Sequence, residues 1–364
     1  MIYHLALRLR HAMYDHGFLL KSVQAEVPTL CVGNITVGGT GKTPHTEMIL
    51  DLLQRSADWG QKNLAVLSRG YKRRSKGFRV VPADGSALEF GDEPLQMKRK
   101  NPFVTVAVDK KRVRGCELLV HPDRIPDQPH PAADLIILDD AFQYRRLRPT
   151  ASIVLIDYGR PVFRDSLLPF GRLRDLRERL RAAFILIVSK CPFYMDEAER
   201  RGWAESLGMS DYDPVTCEGR TSGGRTQYLF FTCVRYCEPD ALYPEAGNPR
   251  FLYSKRAILF TGIADDTPLR RYLSDKYQII GRHAFPDHHK YSSADIRLLE
   301  TASRKAPTAA MITTEKDAQR LRDVKKMPSL LQERLFEVPI KADFLSDEDR
   351  DIFSAVLLRI ISGR

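Results

Sequence analysis

Residues 33–44 read GNITVGGTGKTP, and this stretch decides the fold of the chain. It follows a short apolar run at residues 29–32 and precedes a segment with helical periodicity, so a glycine-rich turn joins a strand to a helix. Glycines let backbone N–H groups approach phosphate oxygens, a lysine adds positive charge, and a threonine hydroxyl can bind Mg²⁺. The pattern predicts a phosphate-binding loop, with a merely structural glycine turn as the alternative. The predicted phosphate-binding residues are Gly38, Gly39, Thr40, Gly41, Lys42 and Thr43.

The match to the strict phosphate-loop pattern is partial, because Thr36 stands where that pattern has glycine. Such a loop works with an acidic residue at the end of a neighbouring strand. Residues 134–140 read DLIILDD, so four apolar residues lead into Asp139 and Asp140. Adjacent carboxylates repel each other unless a cation neutralises them, so this pair is predicted to bind Mg²⁺. The alternative is that Asp140 caps a helix.

Strand-sized apolar runs alternate with helical patterns along the whole chain. Examples are residues 63–68, 103–108, 152–156 and 184–189, each bounded by glycine, proline or charge. Strands separated by helices are typical of a mainly parallel sheet. We therefore predict an α/β fold with a P-loop NTPase-like, mainly parallel sheet domain and a second, smaller α/β domain.

A domain junction is predicted where the composition turns to glycine, serine and threonine, at residues 219–225 (GRTSGGR). The expected domains are residues 1–222, which contain the phosphate loop, and residues 223–364, which form the smaller α/β unit. Residues 347–361 are predicted to form a closing helix.

The first twenty residues predict a basic amphipathic helix. Ile2, Leu5, Leu9 and Met13 recur at helical spacing, with arginine and histidine distributed around them. Such a helix either packs on the body of the protein or lies in a membrane interface. The chain has no run of about eighteen apolar residues, so no membrane-spanning helix is predicted.

The formal charge is +11, from 57 Lys+Arg against 46 Asp+Glu. This excess of positive charge is compatible with three classes of partner, which are nucleic acid, an anionic membrane and acidic small substrates. The chain shows no RNP, zinc-finger or helix-turn-helix signature, which disfavours nucleic acid. Its six cysteines form no C-x-x-C pair, which disfavours a metal-carrying function.

Two further segments concentrate titratable groups. Residues 91–94 (GDEP) place Asp92 and Glu93 at a turn before a helix, where they either cap that helix or carry chemistry. Residues 285–292 (FPDHHKYS) suit proton handling, or else form a solvated polar turn. Metal binding by two adjacent histidines is disfavoured because neighbouring side chains diverge.

Taken in order, these segments resemble the tetraacyldisaccharide 4′-kinase family of lipid A biosynthesis along most of the chain. That family's loop also lacks the glycine that Thr36 replaces. The resemblance rests on residues 14–17 (YDHG), 32–44 (VGNITVGGTGKTP), 67–71 (LSRGY), 91–94 (GDEP), 139–145 (DDAFQYR), 168–174 (LPFGRLR), 285–289 (FPDHH) and 313–318 (TTEKDA).

The resemblance implies transfer of the γ-phosphoryl group of ATP, with Mg²⁺, to the 4′-hydroxyl of a tetraacylated glucosamine disaccharide 1-phosphate, giving lipid IVA. It implies a peripheral enzyme at the cytoplasmic face of the inner membrane of a Gram-negative bacterium. The expected partners are this lipid and the anionic membrane surface, contacted by residues 1–20, with neither nucleic acid nor an obligate protein partner. The alternative is a P-loop ATPase or GTPase that acts on nucleic acid or as a metallochaperone.

The family's functional residues carry over by motif. Lys42 and Thr43 are implied as the phosphate-loop pair, and Asp139, Asp140 and Glu93 as neighbours of the metal together with Thr43. Asp92 is implied as the catalytic carboxylate, assisted by His288, which we prefer to His289 because it directly follows Asp287. The implied substrate contacts are Arg174, Arg69 and Tyr71.

Two positions depart from the family pattern, which often has glycine at Ala141 and histidine at Tyr144. A tyrosine is neither a cation nor a base near neutral pH, so this chain cannot use that histidine for proton handling or phosphate contact.

Overall fold

The computed structural model describes residues 2–17 and 19–363, and in this part the chain forms sixteen strands and twelve α-helices. The strands are β1 (Thr29–Gly33), β2 (Leu64–Ser68), β3 (Arg79–Val80), β4 (Thr105–Val108), β5 (Leu135–Asp139), β6 (Ala151–Asp157), β7 (Ile185–Ser189), β8 (Met209–Asp213), β9 (Glu218–Thr221), β10 (Thr226–Tyr236), β11 (Asp240–Ala241), β12 (Arg256–Thr261), β13 (Gln278–Ala284), β14 (Ala310–Thr314), β15 (Leu335–Val338) and β16 (Ile340–Phe344). The helices are α1 (Ile2–Asp15), α2 (Lys42–Arg55), α3 (Ala87–Phe90), α4 (Asp92–Lys100), α5 (Arg112–Val120), α6 (Glu197–Ser206), α7 (Arg250–Tyr253), α8 (Thr267–Ser274), α9 (Ser293–Lys305), α10 (Glu315–Leu321), α11 (Ser329–Gln332) and α12 (Asp347–Ile361).

The larger sheet has the strand order β3-β4-β2-β5-β1-β6-β7-β10-β9-β8, and β16 also pairs with β10. The strands from β4 through β10 run parallel to one another, which confirms the predicted mainly parallel sheet. Every residue of β1, β2, β5 and β7 is buried, as expected where helices cover both faces of a parallel sheet. Because β1 and β5 are neighbours, the phosphate-loop segment and the acidic pair leave the sheet side by side.

The smaller sheet has the strand order β11-β15-β14-β12-β13, and its strands from β15 to β13 are parallel. A separate core of Ile258, Phe260, Leu299 and Met311 lies on one of its faces. This sheet carries the loop before α9 and the helix α10, which place their side chains against α4 of the larger unit.

The chain divides between the two sheets differently from the expected domains 1–222 and 223–364. Residues 219–225 lie in a hairpin, because β9 and β10 are antiparallel neighbours within the larger sheet. The strand β16 returns to β10, and α12 packs on the same sheet. The glycine-rich composition marks a tight turn between strands, and the smaller unit is an insertion between β10 and β16.

The helix α1 packs on the larger unit through one face and exposes the other. Leu7 is buried, and His11 Nε2 lies 2.7 Å from the Asp175 carboxylate. Leu5 and Leu9 are 68% and 61% exposed. The side chain of Ile2, which the sequence also places on the apolar stripe, lies outside the described residues, as do Met1 and Phe18. Among the helices that are described, none is both long enough and apolar enough to cross a bilayer.

The substitution Phe353→Ala tests the return of the C-terminus to the larger sheet. Phe353 is fully buried, and its ring meets that of Phe230 edge-on with centroids 5.2 Å apart. Truncation should cost about 3–5 kcal/mol and lower the thermal midpoint of the whole protein. Phe103→Ala is the matched control, because Phe103 is 93% exposed. Equal midpoints for the two variants would contradict the packing of α12 described here.

Candidate active site

The segment between β1 and α2 forms the predicted loop, with Lys42 as the first residue of α2. Gly41 has φ 83°, a left-handed conformation that favours glycine. At Gly33, a Cβ would lie 2.7 Å from Cβ of Phe142, so a side chain there has no room. Thr36, where the strict pattern has glycine, instead forms an antiparallel bridge to Leu173. The loop is therefore joined to the segment that carries Arg174.

Three consecutive carbonyls of the loop accept hydrogen bonds from side chains outside it. The Gly39 carbonyl accepts from Lys190 Nζ, the Thr40 carbonyl from Ser189 Oγ at 2.9 Å, and the Gly41 carbonyl from His45 at 2.7 Å. A peptide carbonyl and the N–H of the same peptide point in opposite directions. Anchoring the carbonyls of Thr40 and Gly41 thus turns the N–H groups of Gly41 and Lys42 toward the opposite side, where a phosphate would lie.

His45 is a fully buried support of this loop. Its Nδ1 lies 2.7 Å from the Gly41 carbonyl, and its Nε2 lies 2.8 Å from the Thr232 hydroxyl on β10. The carbonyl can only accept, so Nδ1 carries the proton and Nε2 accepts from Thr232. Burial lowers the pKa of His45 to about 4, which keeps the ring neutral.

The acidic pair at the end of β5 divides into two environments. Asp139 is buried, and its Oδ2 accepts from the Ser68 hydroxyl at 2.8 Å, while its Oδ1 has no hydrogen-bond partner among the described residues. Burial and the neighbouring Glu93 and Asp140 raise the pKa of Asp139. At Asp140 burial acts in the same direction, but the charges of Lys42 and Arg174 outweigh it and hold the pKa below its ordinary value.

The orphaned Asp139 oxygen and the buried Thr43 hydroxyl fit a Mg²⁺ site. No group of three His, Cys, Asp or Glu side chains suited to a metal occurs within residues 2–17 and 19–363. Mg²⁺ is commonly bound through one or two carboxylates, with nucleotide phosphates and water completing its octahedron. Two oxygen donors next to the phosphate loop, from Asp139 and Thr43, therefore suit this ion. Lys42 Nζ lies 3.7 Å from Asp140, so a cation already balances the second carboxylate.

The first turn of α4 carries Asp92 and Glu93, each paired with a cation of α10. Asp92 Oδ2 accepts from Arg320 at 2.6 Å, and Glu93 accepts from Lys316 at 2.5 Å. Burial alone would raise the pKa of Asp92, but hydrogen bonds from His288 and Arg320 and the charge of Arg320 hold it far below its usual range. The charge of Lys316 lowers the pKa of Glu93 in the same way. Both groups are therefore carboxylates at neutral pH.

The two adjacent histidines have different surroundings. His288 Nδ1 lies 3.4 Å from the Asp92 carboxylate. His289 turns away, stacks on Phe285 with ring centroids 4.7 Å apart, and bonds Asp295 at 3.0 Å. The structure therefore brings His288, and not His289, to the carboxylate of α4.

The predicted substrate residues lie in different places. Tyr71 is exposed and lines a cavity together with Asp92 and His288. Arg174 donates to Asp140 and is joined through its backbone N–H to the Ile35 carbonyl at 2.8 Å, so it belongs to the phosphate-loop side. Arg69 is exposed beyond β2, and the cavity lining does not include it. Tyr144, at the position of the family histidine, has its ring beneath the Arg112 guanidinium.

Sequence reasoning missed the two cations of α10 and the anchors of the loop carbonyls. The segment TTEKDA is one of the motifs that carry the resemblance, and its Thr314 caps α10 by accepting from the Asp317 N–H at 3.1 Å. That helix places Lys316 and Arg320 four residues apart on one face, where they reach α4. The four-residue spacing of these two cations can be read from the sequence. The helix with which they pair, α4, cannot, because it lies far away along the chain.

A phosphate loop at the end of the central strand β1, with an acidic pair on the adjacent strand, defines a P-loop protein of the nucleotide-dependent phosphotransferase class. The family model described as LpxK, tetraacyldisaccharide-1-P 4′-kinase, matches residues 1–361. The chain belongs to this family.

Relatives and a solved structure agree with this assignment. A protein of Phocaeicola vulgatus named tetraacyldisaccharide 4′-kinase is 38% identical over 360 residues, which cover 97% of this chain and 91% of the relative. A protein of the same name from Parabacteroides distasonis is 35% identical over 369 residues, covering 100% and 93%. The crystal structure of LpxK from Aquifex aeolicus, described as an "apo" form in complex with ATP, has a TM-score of 0.69 at 25% identity and covers 99% of this chain and 96% of that one.

The variant His45→Asn tests whether the buried ring of His45 is neutral and supports the phosphate loop. Because the pKa of His45 is lowered from 6.5 to about 4, its contribution to stability is complete above pH 6.5 and is lost as the pH falls toward 4. This loss amounts to about 3 kcal/mol in the wild type. Thermal midpoints measured at neutral pH and at about pH 5 should therefore differ less in His45→Asn than in the wild type. His16→Asn, at an exposed histidine, is the control, and an unchanged pH dependence in His45→Asn would contradict the assignment.

Proposed function

We propose that this chain transfers the γ-phosphoryl group of ATP to the 4′-hydroxyl of a tetraacylated glucosamine disaccharide 1-phosphate, as a step of lipid A biosynthesis. Membership of the kinase family favours this reaction over a P-loop ATPase or GTPase that acts on nucleic acid or as a metallochaperone. The observation that carries the proposal is the meeting of the phosphate loop with Asp92 at one edge of the sheet. The helix α4, which begins at Asp92, packs against α2, which begins at Lys42: Gln96 donates to Glu47 at 3.0 Å, and Lys100 Nζ lies 2.7 Å from the same carboxylate.

We assign the binding of the nucleotide phosphates to the loop and the start of α2. The N–H groups of Gly41 and Lys42 and the Lys42 ammonium would face the phosphates, and the positive end of α2 adds to this field. Mg²⁺, when bound at Thr43 and Asp139 with Asp140 and Glu93 nearby, would neutralise charge on the transferring oxygens. Arg174 donates to Asp140, so its positive charge offsets part of the negative charge of the acidic pair.

Asp92 is assigned to the acceptor hydroxyl. Phosphoryl transfer depends on in-line positioning and charge neutralisation more than on a strong base. With its pKa far below neutral, Asp92 stays ionised, accepts the hydroxyl's hydrogen bond and receives the proton late in the reaction. His288 and Arg320 hold this carboxylate in place, and Tyr71 lines the space that the acceptor would enter. We assign Arg69, which is exposed just after β2, to a contact with the substrate outside this cavity.

The exposed face of α1 is assigned to the anionic surface at the cytoplasmic face of the inner membrane. Leu5 and Leu9 stand on this face beside the exposed Arg8, a combination suited to a phospholipid interface. Phe170, which is 86% exposed, lines a cavity of about 1070 Å³ together with Tyr3 and Ala6 of α1. An acylated acceptor resides in the bilayer, so an enzyme that contacts this surface meets its substrate there.

The variant Asp92→Asn tests the catalytic assignment. Transfer of label from γ-labelled ATP to a detergent-dispersed acylated disaccharide 1-phosphate should fall at least about 100-fold in kcat with little change in the KM for ATP. Asp51→Asn, at a half-exposed carboxylate of α2, is the charge-matched control. A raised KM with unchanged kcat would instead make Asp92 a binding residue. Lack of transfer by the folded wild type would refute the proposed reaction itself.

The double variant Leu5→Gln/Leu9→Gln tests the membrane assignment. Removing two exposed leucines from the interface should weaken co-sedimentation with phosphatidylglycerol vesicles about tenfold, while the thermal midpoint stays unchanged because neither side chain is buried. Val215→Gln/Leu298→Gln removes two exposed apolar side chains elsewhere and serves as the control. Equal vesicle binding by both double variants would refute the assignment of α1.

A further inference from the structure

Four polar side chains, Glu47, Gln96, Lys100 and Glu315, form a closed network between α2, α4 and α10, called here the Glu47 network. Lys100 Nζ lies 2.7 Å from Glu47 Oε2 and 2.7 Å from Glu315 Oε1. Gln96 Nε2 donates to Glu47 Oε1 at 3.0 Å and to Glu315 Oε2 at 3.2 Å. One ammonium and one amide thus bridge two carboxylates, and each of the four carboxylate oxygens has a donor.

The Glu47 network is largely removed from solvent. The side chains of Glu47 and Glu315 are 12% and 8% exposed, Gln96 is buried, and Lys100 is the most exposed of the four at 28%. Carboxylate oxygens only accept hydrogen bonds, so both contacts of Gln96 require its amide nitrogen and fix the orientation of its side chain. A buried charge that loses its partner is costly, so this geometry holds the three helices firmly together.

The members of the Glu47 network lie close, along their helices, to the groups of the site. Gln96 follows Asp92 by one helical turn, which is about 6 Å along α4. Glu47 follows Lys42 by five residues on α2, and Glu315 is the first residue of α10, the helix whose cations pair with α4. A displacement at the network is therefore passed on to both the phosphate loop and the first turn of α4.

The phosphate loop and Asp92 otherwise have separate polar supports. Lys190 and Ser189 bind the loop carbonyls from the end of β7. Arg320 and His288 hold the Asp92 carboxylate from the smaller unit. The Glu47 network connects these two sets of contacts, because it joins the helix that begins at the loop to the helix that begins at Asp92.

The Glu47 network carries one more negative than positive charge when both carboxylates are ionised. Burial raises the pKa of Glu47 to about 7, and the charge of Glu315 acts in the same direction while Lys100 opposes both. Burial would lower the pKa of Lys100, but the charges of the two carboxylates outweigh it. Lys100 of α4 and Glu315 of α10 are the charged groups that face Glu47, and β16 adds the Ile340 N–H, which donates to Glu315 at 3.4 Å. Glu47 therefore changes its charge near neutral pH while Lys100 stays a cation.

We infer that Glu47, bound to Gln96, Lys100 and Glu315, is a positioning residue that sets the distance between the phosphate loop and the Asp92 carboxylate. The inference rests on the proposed function, in which ATP lies in the loop and the acceptor hydroxyl lies at Asp92. In-line transfer needs the two reactants aligned, and a misplacement of about 1 Å can cost about 100-fold in rate. ATP is bound by the loop and the start of α2 alone, so the network acts on kcat and leaves the KM for ATP nearly unchanged.

The variant Glu47→Gln tests the inference, because it keeps the shape of the side chain and removes its charge. The matched control is Glu337→Gln on β15, where a carboxylate with the same 12% exposure pairs with Arg322 at 2.6 Å. Full-length proteins are assayed at pH 8 with γ-labelled ATP and a detergent-dispersed acylated disaccharide 1-phosphate. Relative to the control, Glu47→Gln should lower kcat about tenfold and change the KM for ATP by less than about twofold.

The pH dependence of the same assay separates positioning from stability. With a pKa of about 7, wild-type Glu47 is mostly ionised at pH 8 and only about one-tenth ionised at pH 6. At pH 6 the wild type thus resembles Glu47→Gln, which is uncharged at every pH. The ratio of the wild-type kcat to the variant kcat should fall from about ten at pH 8 to about two at pH 6. Groups that titrate elsewhere in the site affect both proteins alike and cancel in this ratio.

The double variant Glu47→Gln/Lys100→Met tests whether the Glu47 network acts as a unit. Lys100→Met alone would leave two carboxylates without their cation and destabilise the fold, whereas the double variant removes one charge of each sign. Its kcat should lie within about threefold of that of Glu47→Gln, because one substitution already breaks the network. A further tenfold loss would mean that Lys100 acts independently of Glu47 and would overturn the network as a unit.

Three other results would overturn the inference while leaving the proposed reaction intact. These are a kcat in Glu47→Gln equal to that of the control, a raised KM for ATP with unchanged kcat, and a kcat ratio that is the same at pH 6 and pH 8. Absence of transfer by the folded wild type would instead refute the proposed function. Thermal midpoints well above the assay temperature establish that each variant is folded.

Discussion

The ion pairs between the first turn of α4 and α10 join the two units at the site. Asp92 with Arg320 and Glu93 with Lys316 place two partly buried carboxylates against two cations of the smaller unit. The Asp92–Arg320 pair is the more buried of the two, and a buried charge that loses its partner costs about 3–5 kcal/mol, so this pair strongly constrains the position of the opposing helix. The shape of the cavity, the ionised state of Asp92 and the approach of His288 all follow from this arrangement.

The phosphate loop is held by its surroundings as much as by its glycines. Thr36 bridges to Leu173 in an extended pairing, which requires no left-handed backbone and so tolerates a side chain where the strict pattern has glycine. Lys190, Ser189 and His45 then bind three successive carbonyls from outside. A loop whose peptides are oriented before the nucleotide arrives loses less entropy on binding it.

The sequence predicts the elements well and their long-range partners poorly. The strand before residues 33–44, the acidic strand and the closing helix follow from local apolar periodicity, and the structure forms all three at the predicted places. Residues 219–225 predict a domain junction but form a hairpin, because glycine is typical of a hairpin turn and of a linker alike. The sequence does not predict the role of Arg320, because that role depends on a contact with Asp92. The two residues are 228 positions apart, and no local pattern predicts such a contact.

The insertion of the smaller unit between β10 and β16 affects how the chain can fold during synthesis. The phosphate loop comes early in the chain, but β16 and α12, which complete the larger sheet and cover its core, are made after every strand of the smaller unit. Domains usually fold in order from the N-terminus as they leave the ribosome. Here all the strands of the smaller unit are made before β16. Until β16 has been made, β10 lacks its pairing with that strand. An unpaired strand edge invites pairing with other chains, so this part of β10 is open to such pairing until β16 has been made.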